Sequence, residues 1–164
     1  MPSISTTSGQ PFDREEQLAR VPFFEGLTRE ALGLIAQVTT EESHAVGTKL
    51  FQYGDPGDKL FVLLEGKVRI SREVGGMGEE ALAVLGPGEV FGEMSLLDES
   101  PRSADARVHE SCRALVIRKE AFDDLLYSHK DLAYEVLWNC VRILAGRLRE
   151  TNEKLTFLTV SGKF

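Results

Sequence analysis

The sequence predicts a mainly β domain, a sandwich or barrel with helices flanking it. Short β-like runs alternate with glycines from Thr39 to about Ile117, at Gly47, Gly54, Gly57, Gly66, Gly75, Gly76, Gly78, Gly86 and Gly88. On either side the apolar period becomes helical, over 28–38 before this region and from Lys119 after it. A chain of 164 residues with 42% hydrophobic content is enough for one domain and its core.

The elements follow in order. Residues 1–12 are rich in Ser and Thr and read as a flexible tail. Asp13–Leu18 reads as a short helix, and Val21-Pro22-Phe23-Phe24 as a turn whose aromatics pack inward. Thr28 is a good N-cap, with Glu30 and Ala31 in the first turn and Leu32, Leu34, Ile35 and Val38 on one face. Strands are expected near 39–45, 49–52, 60–65, 67–73, 80–85, 103–108 and 112–117. Gly54-Asp55-Pro56-Gly57-Asp58 is a turn, and Glu65-Gly66-Lys67 reads as a tight reversal between two strands. Val74–Glu80 is a glycine-rich hairpin tip without the Gly-Lys-Ser/Thr ending of a nucleoside-triphosphate loop.

Lys119–Ser128 reads as a helix, 129–131 as a break, and 132–158 as one long helix. Leu137, Val141, Leu144, Leu148, Thr151, Leu155 and Leu158 recur along it every three or four residues. Its later part carries Arg147, Arg149, Glu150, Glu153 and Lys154 around the stripe, the pattern of a two-helix seam, and Asn152 suits a polar register-setting position. A homodimer is the expectation. The layout is then a domain over 13–131, a dimerising helix over 132–158 and a tail over 159–164.

Composition narrows the function. A net charge of −7 argues against broad nonspecific nucleic-acid binding. No apolar run is long enough to span a membrane, and Met1–Gln10 has neither the basic start nor the apolar segment of a signal peptide. Cys112 and Cys140 do not suggest a disulfide framework, so cytoplasm is the expected location. His44, His109 and His129 have no ligand spacing, so neither a metal nor a cofactor is expected. An enzyme on a cupin-like roll would need clustered His and carboxylate ligands, so no enzymatic activity is expected.

The chemistry concentrates in Phe91–Val108, after a loop at Gly86-Pro87-Gly88. Gly92 and Glu93 open Met94-Ser95-Leu96-Leu97, a run of one or two helical turns that Pro101 ends. Free N–H groups at such a start suit a phosphate, and Arg102 adds a planar, permanently charged fork. Ser103 adds a hydroxyl and another N–H, while the Glu93 carboxylate accepts well from sugar hydroxyls. Together they describe a ribose-phosphate site. Glu93 and Arg102 taken alone read first as an ordinary ion pair on a loop, since such pairs are common.

The whole stretch resembles the phosphate-binding cassette of the cyclic-nucleotide-binding domain family. Phe91, Gly92, Glu93, Ser95, Leu96, Arg102, Ser103, Ala104, Ala106 and Val108 fill its signature positions. The resemblance extends to the sensor domain of bacterial cAMP-receptor-type regulators and to regulatory subunits of cyclic-nucleotide-dependent kinases. It implies an eight-stranded β-roll, a jelly-roll-like double-stranded β-helix, with N-terminal helices and a long C-terminal one. It implies that Glu93 binds the ribose 2′-hydroxyl and Arg102 the cyclic phosphate. Ser103 and the backbone of Gly92, Met94 and Ser95 would complete the site. In the bacterial regulators the long helix dimerises and reaches the base, which falls here on Arg147, Thr151 and Asn152. Ser103, rather than Thr, leans toward cAMP, with cGMP the alternative. Ligand binding would shift the population between two positions of the long helix, acting on the dimer or on a protein effector in trans.

The chain ends at Phe164 without a helix-turn-helix, so direct DNA contact is not expected from it. The contrasting reading is a nucleotide-free interaction domain on the same fold. It is favoured by the acidic Asp98-Glu99 turn and by Asp105, should that carboxylate point into the phosphate site.

Overall fold

A computed structural model describes residues 11–162. Helix α1 (Pro11–Ala19) leads through a 3-10 turn, Pro22–Phe24, into α2 (Arg29–Gln37). The Thr28 hydroxyl caps α2 by accepting from the Ala31 N–H at 3.1 Å, as the sequence predicts. Of the expected N-terminal tail, residues 1–10 lie outside the described residues, and Pro11 already belongs to α1.

Six strands follow, β1 (Thr39–His44), β2 (Lys49–Phe51), β3 (Lys59–Val74), β4 (Gly78–Leu85), β5 (Val90–Phe91) and β6 (Asp105–Arg118), all in antiparallel pairs. The order is β1-β6-β3-β4, with β2 also on β6 and β5 on β3. The architecture is the expected β-roll, but six strands replace the eight. The difference lies in β3 and β6, which pair from Lys59↔Arg118 to Ser71↔Asp105 as one long ribbon.

The reversal expected at Glu65-Gly66-Lys67 is therefore a bend inside one strand, where the register shifts. A Cβ on Gly66 would stand 2.2 Å from the Ser111 carbonyl oxygen, so glycine serves close strand approach here and not a hairpin turn. The expected strands 103–108 and 112–117 are likewise one strand, starting at Asp105.

The apolar run in β3 has two destinations because side chains alternate across a strand. Leu60 and Val62 pack with Leu115 and Ile117 against Leu18, Phe23, Phe24 and Ile35 of the N-terminal segment and Phe122 and Val136 of the C-terminal helices. Phe61 and Leu63 point into the roll with Val68, Leu85, Phe91, Val108 and Val116. Burial of each such side chain contributes about 1.5–3 kcal/mol, which fixes the register of the ribbon.

A short helix, α3 (Glu93–Asp98), interrupts the strands between β5 and β6. After β6 come α4 (Lys119–Ser128) and α5 (Lys130–Ser161). The expected break at 129–131 narrows to His129, whose N–H closes the end of α4 on the Leu125 carbonyl at 3.0 Å. Helix α5 runs through residues 159–161 of the expected tail, while 163–164 lie outside the described residues. Its first half is anchored by buried Leu132, Val136, Asn139 and Cys140. Beyond Leu148 its side chains stand in solvent, among them Leu155, Phe157, Leu158 and Val160.

Candidate functional site

Strand β5 delivers the chain to Gly92, which turns it with φ +84 into the first residue of α3. That turn brings Glu93, Met94 and Ser95 to the wall of a cavity of about 160 Å³. Phe91, Gly92, Arg102, Ser103 and Ala104 line the same cavity, as does Arg147 from α5, so nine residues singled out from sequence converge. Thr151 and Asn152 do not line it. Thr151 is exposed and donates its hydroxyl to the Arg147 carbonyl at 2.9 Å, within its own helix. Asn152 lies with Glu153, Thr156, Phe157 and Val160 along a shallow outer groove of α5.

Arg102 is only 3% exposed. Its Nη1 donates to the Gly92 carbonyl at 3.1 Å and its Nη2 to the Lys59 carbonyl at 2.7 Å. The buried Nε has no hydrogen-bond partner. Both terminal amino groups of the fork that the sequence assigns to phosphate thus bond main-chain carbonyls. Burial lowers the guanidinium pKa from its ordinary value, and the nearby carboxylates of Asp58, Asp55 and Glu93 oppose that shift. The Arg102 backbone is pinned too, its N–H donating to the Asp55 carbonyl at 2.8 Å and its carbonyl accepting from the Gly54 N–H at 2.9 Å. The Gly54–Asp58 turn is what sets Arg102 in place.

Glu93 is equally buried, at 3% exposure. Burial raises its carboxyl pKa above the ordinary 4.5, against the opposing pull of the Arg147 charge. The Arg147 Nη1 donates to the Glu93 carboxylate and its Nη2 to the Val90 carbonyl at 2.7 Å. Arg147 also lines the cavity, so α5 reaches the site through this residue.

The Ser103 hydroxyl is exposed and faces the Met94 sulfur at 3.8 Å. Asp105 points elsewhere than the sequence reading feared: its carboxylate accepts from the Tyr53 N–H at 2.6 Å and is not part of the cavity wall. The local case for a pocket hostile to phosphate therefore loses one of its two supports.

Four wall residues escaped the sequence reading: Phe51, Ile70, Ala83 and Leu85. They come from β2, β3 and β4, and each looks like ordinary core in a strand pattern. They form an apolar flank facing the polar segment 92–103. A buried arginine whose Nε has no partner, a buried carboxylate and an apolar flank suit a ligand with a phosphate, hydroxyls and a flat ring.

Comparison with known proteins identifies the family. The family model "Cyclic nucleotide-binding domain" matches residues 41–129. The "CRP-like cAMP-activated global transcriptional regulator" of Mycobacterium tuberculosis is 31% identical over 144 residues, 88% of this chain and 62% of the relative. The chain thus spans less than two thirds of that relative's length. The crystal structure of Thermus thermophilus catabolite activator protein superposes with a TM-score of 0.72 at 38% identity, covering 84% of this chain and 63% of that one. The regulatory domain of Toxoplasma gondii PKA, crystallised with cAMP, gives a TM-score of 0.66 at 26% identity, covering 74% and 46%. The chain belongs to the cyclic nucleotide-binding domain family.

Proposed function

We propose that this member of the family is a sensor that binds cAMP in the cavity beside α3 and signals through α5. The observation that carries the reading is the convergence of buried Arg102 and buried Glu93 on one cavity that Ser103 also lines. Arg102 and Ser103 take the cyclic phosphate, and Glu93 takes the ribose hydroxyl. The cAMP named in the descriptions of the Mycobacterium and Toxoplasma relatives supports that nucleotide. The flank of Ile70, Ala83 and Leu85 supports it further. Guanine carries an N1–H and a 2-amino group where adenine has a bare ring nitrogen and a C–H, and an apolar wall leaves those extra donors without partners.

Arg147 supplies the link to output. It joins the start of α3 to α5, so a ligand that competes for Glu93 or adds to its pairing changes what holds α5 down. The exposed apolar side chains Leu148, Leu155 and Leu158 on α5 support a homodimer through that helix. A protein effector in trans would read the dimer's geometry. The proposed role is regulatory and not catalytic, and the proposed location is the cytoplasm.

Titration calorimetry of nucleotide-stripped protein with cAMP and cGMP tests the binding. Saturable cAMP binding at least tenfold tighter than cGMP, abolished in Arg102→Ala, is the expected result. A folded, stripped protein that binds neither nucleotide overturns the reading. Spin-label distances between α5 and the roll, with and without cAMP, test the signalling, and unchanged distances would reject it.

A further inference from the structure

We propose that Phe51 is a positioning residue for Arg102, its ring a platform that holds the guanidinium flat and leaves the Nε–H for the ligand's phosphate. The inference rests on the reading of the cavity as a nucleotide site.

The Arg102 guanidinium carbon lies 4.2 Å from the centre of the Phe51 ring. At that distance the ring face attracts the cation, and most strongly where water is excluded. Arg102 is such a case, buried, with Nε lacking a partner and only main-chain carbonyls on its terminal amino groups. The Asp58 carboxylate is 3.9 Å away but its side chain is 74% exposed, which weakens its hold.

The backbone delivers Phe51 to this place by a local irregularity. Lys49 pairs with Arg107, yet Phe51 pairs with the next residue, Ala106, because the register shifts between Lys49 and Phe51. Strict alternation would put Lys49 and Phe51 on one face. The shift sets Phe51 opposite a fully buried alanine, facing the cavity, while Lys49 and Arg107 stay exposed. The ring is braced from behind, 6.0 Å from Phe61 and 6.2 Å from Phe91, which stack on each other at 4.9 Å.

The first test needs no nucleotide. In arginine side-chain NMR spectra of the free protein, the Arg102 Nε–H, identified by its loss in Arg102→Lys, is expected to be ring-shifted and slow to exchange. Phe51→Leu removes both properties and Phe51→Tyr keeps them. Pentafluorophenylalanine at position 51 keeps the shape but reverses the charge of the ring face, and it also mobilises Arg102 without lowering Tm. With cAMP, Phe51→Leu and the fluorinated ring weaken binding about two- to thirtyfold, and Phe51→Tyr does not. An Arg102 signal that is the same with Leu or the fluorinated ring at position 51 overturns the platform. If the wild type binds no cyclic nucleotide, the cavity reading fails, and the Arg102 spectrum still decides whether Phe51 holds it.

Discussion

The Arg147 guanidinium on α5 pairs with the Glu93 carboxylate at the first residue of α3, across 54 residues of chain. The carboxylate is buried and the arginine side chain is 36% exposed. The two ends of the pair are therefore unequal: Glu93 has no alternative partner in water, and Arg147 has.

Removing the arginine leaves the carboxylate buried and unpaired. Arg147→Met is expected to lower stability by about 1–2 kcal/mol, less than for a fully buried pair because Arg147 is partly solvated. Differential scanning calorimetry would read this as a Tm lower by roughly 3–8 °C.

Glu93 also predicts a pH dependence. Burial raises its folded pKa above 4.5, with Arg147 and Arg102 opposing. A carboxyl raised in the folded state binds its proton more tightly there than in the unfolded chain. Its contribution to stability is thus fully present below 4.5 and is lost as pH rises through the raised value. Wild-type stability minus that of Glu93→Gln is expected to fall as pH rises above 4.5, in thermal melts taken from about pH 4 to 7. A difference that is flat or rises with pH contradicts the raised pKa.

Gly92 tests the phosphate end without replacing Arg102. A Cβ there would sit 2.7 Å from Arg102 Nη1 and 2.9 Å from the Lys59 carbonyl, at a φ of +84. Gly92→Ala is expected to displace the guanidinium and weaken cAMP binding by about tenfold or more, with a stability cost of about 1–3 kcal/mol. Calorimetric titration beside a denaturant melt separates the two effects.

The proposed dimer is tested on the part of α5 that leaves the roll. Leu155 is 57% exposed, so Leu155→Lys should change the stability of one subunit by no more than about 0.5 kcal/mol. Analytical ultracentrifugation is expected to show a concentration-dependent dimer for the wild type and a monomer for the variant.

The site was legible where it is local. Segment 91–104 folds as a strand end, a turn, a short helix and a loop, so its residues meet by proximity in sequence, and eight of them do line one cavity. Phe51, Ile70, Ala83 and Leu85 were not legible, because only the pairing of β2, β3 and β4 brings them there. An apolar side chain on a strand looks the same whether it faces core or cavity. The strand count failed for a similar reason. Glycine at 66 is needed for a close approach to Ser111 from a distant strand, and in sequence that cannot be told from a turn. The helices were read well because caps and periods are local, as Thr28 and Lys119–Ser128 show.

Cys140 gives the molecule a built-in reporter. It sits on α5 beside Leu96 and Leu97 of α3 and Phe122 of α4, with 1% exposure. Burial, and then the Glu93 charge, push its thiol pKa up to about 11, so at neutral pH roughly one such thiol in ten thousand is ionised. Labelling by a thiol reagent must wait for α5 to lift. Cys112 is buried inside the roll and should react only when the roll itself opens. The two labelling rates, followed by mass spectrometry on the unaltered protein, time helix motion against global unfolding, and the effect of cAMP on each can be read in one tube.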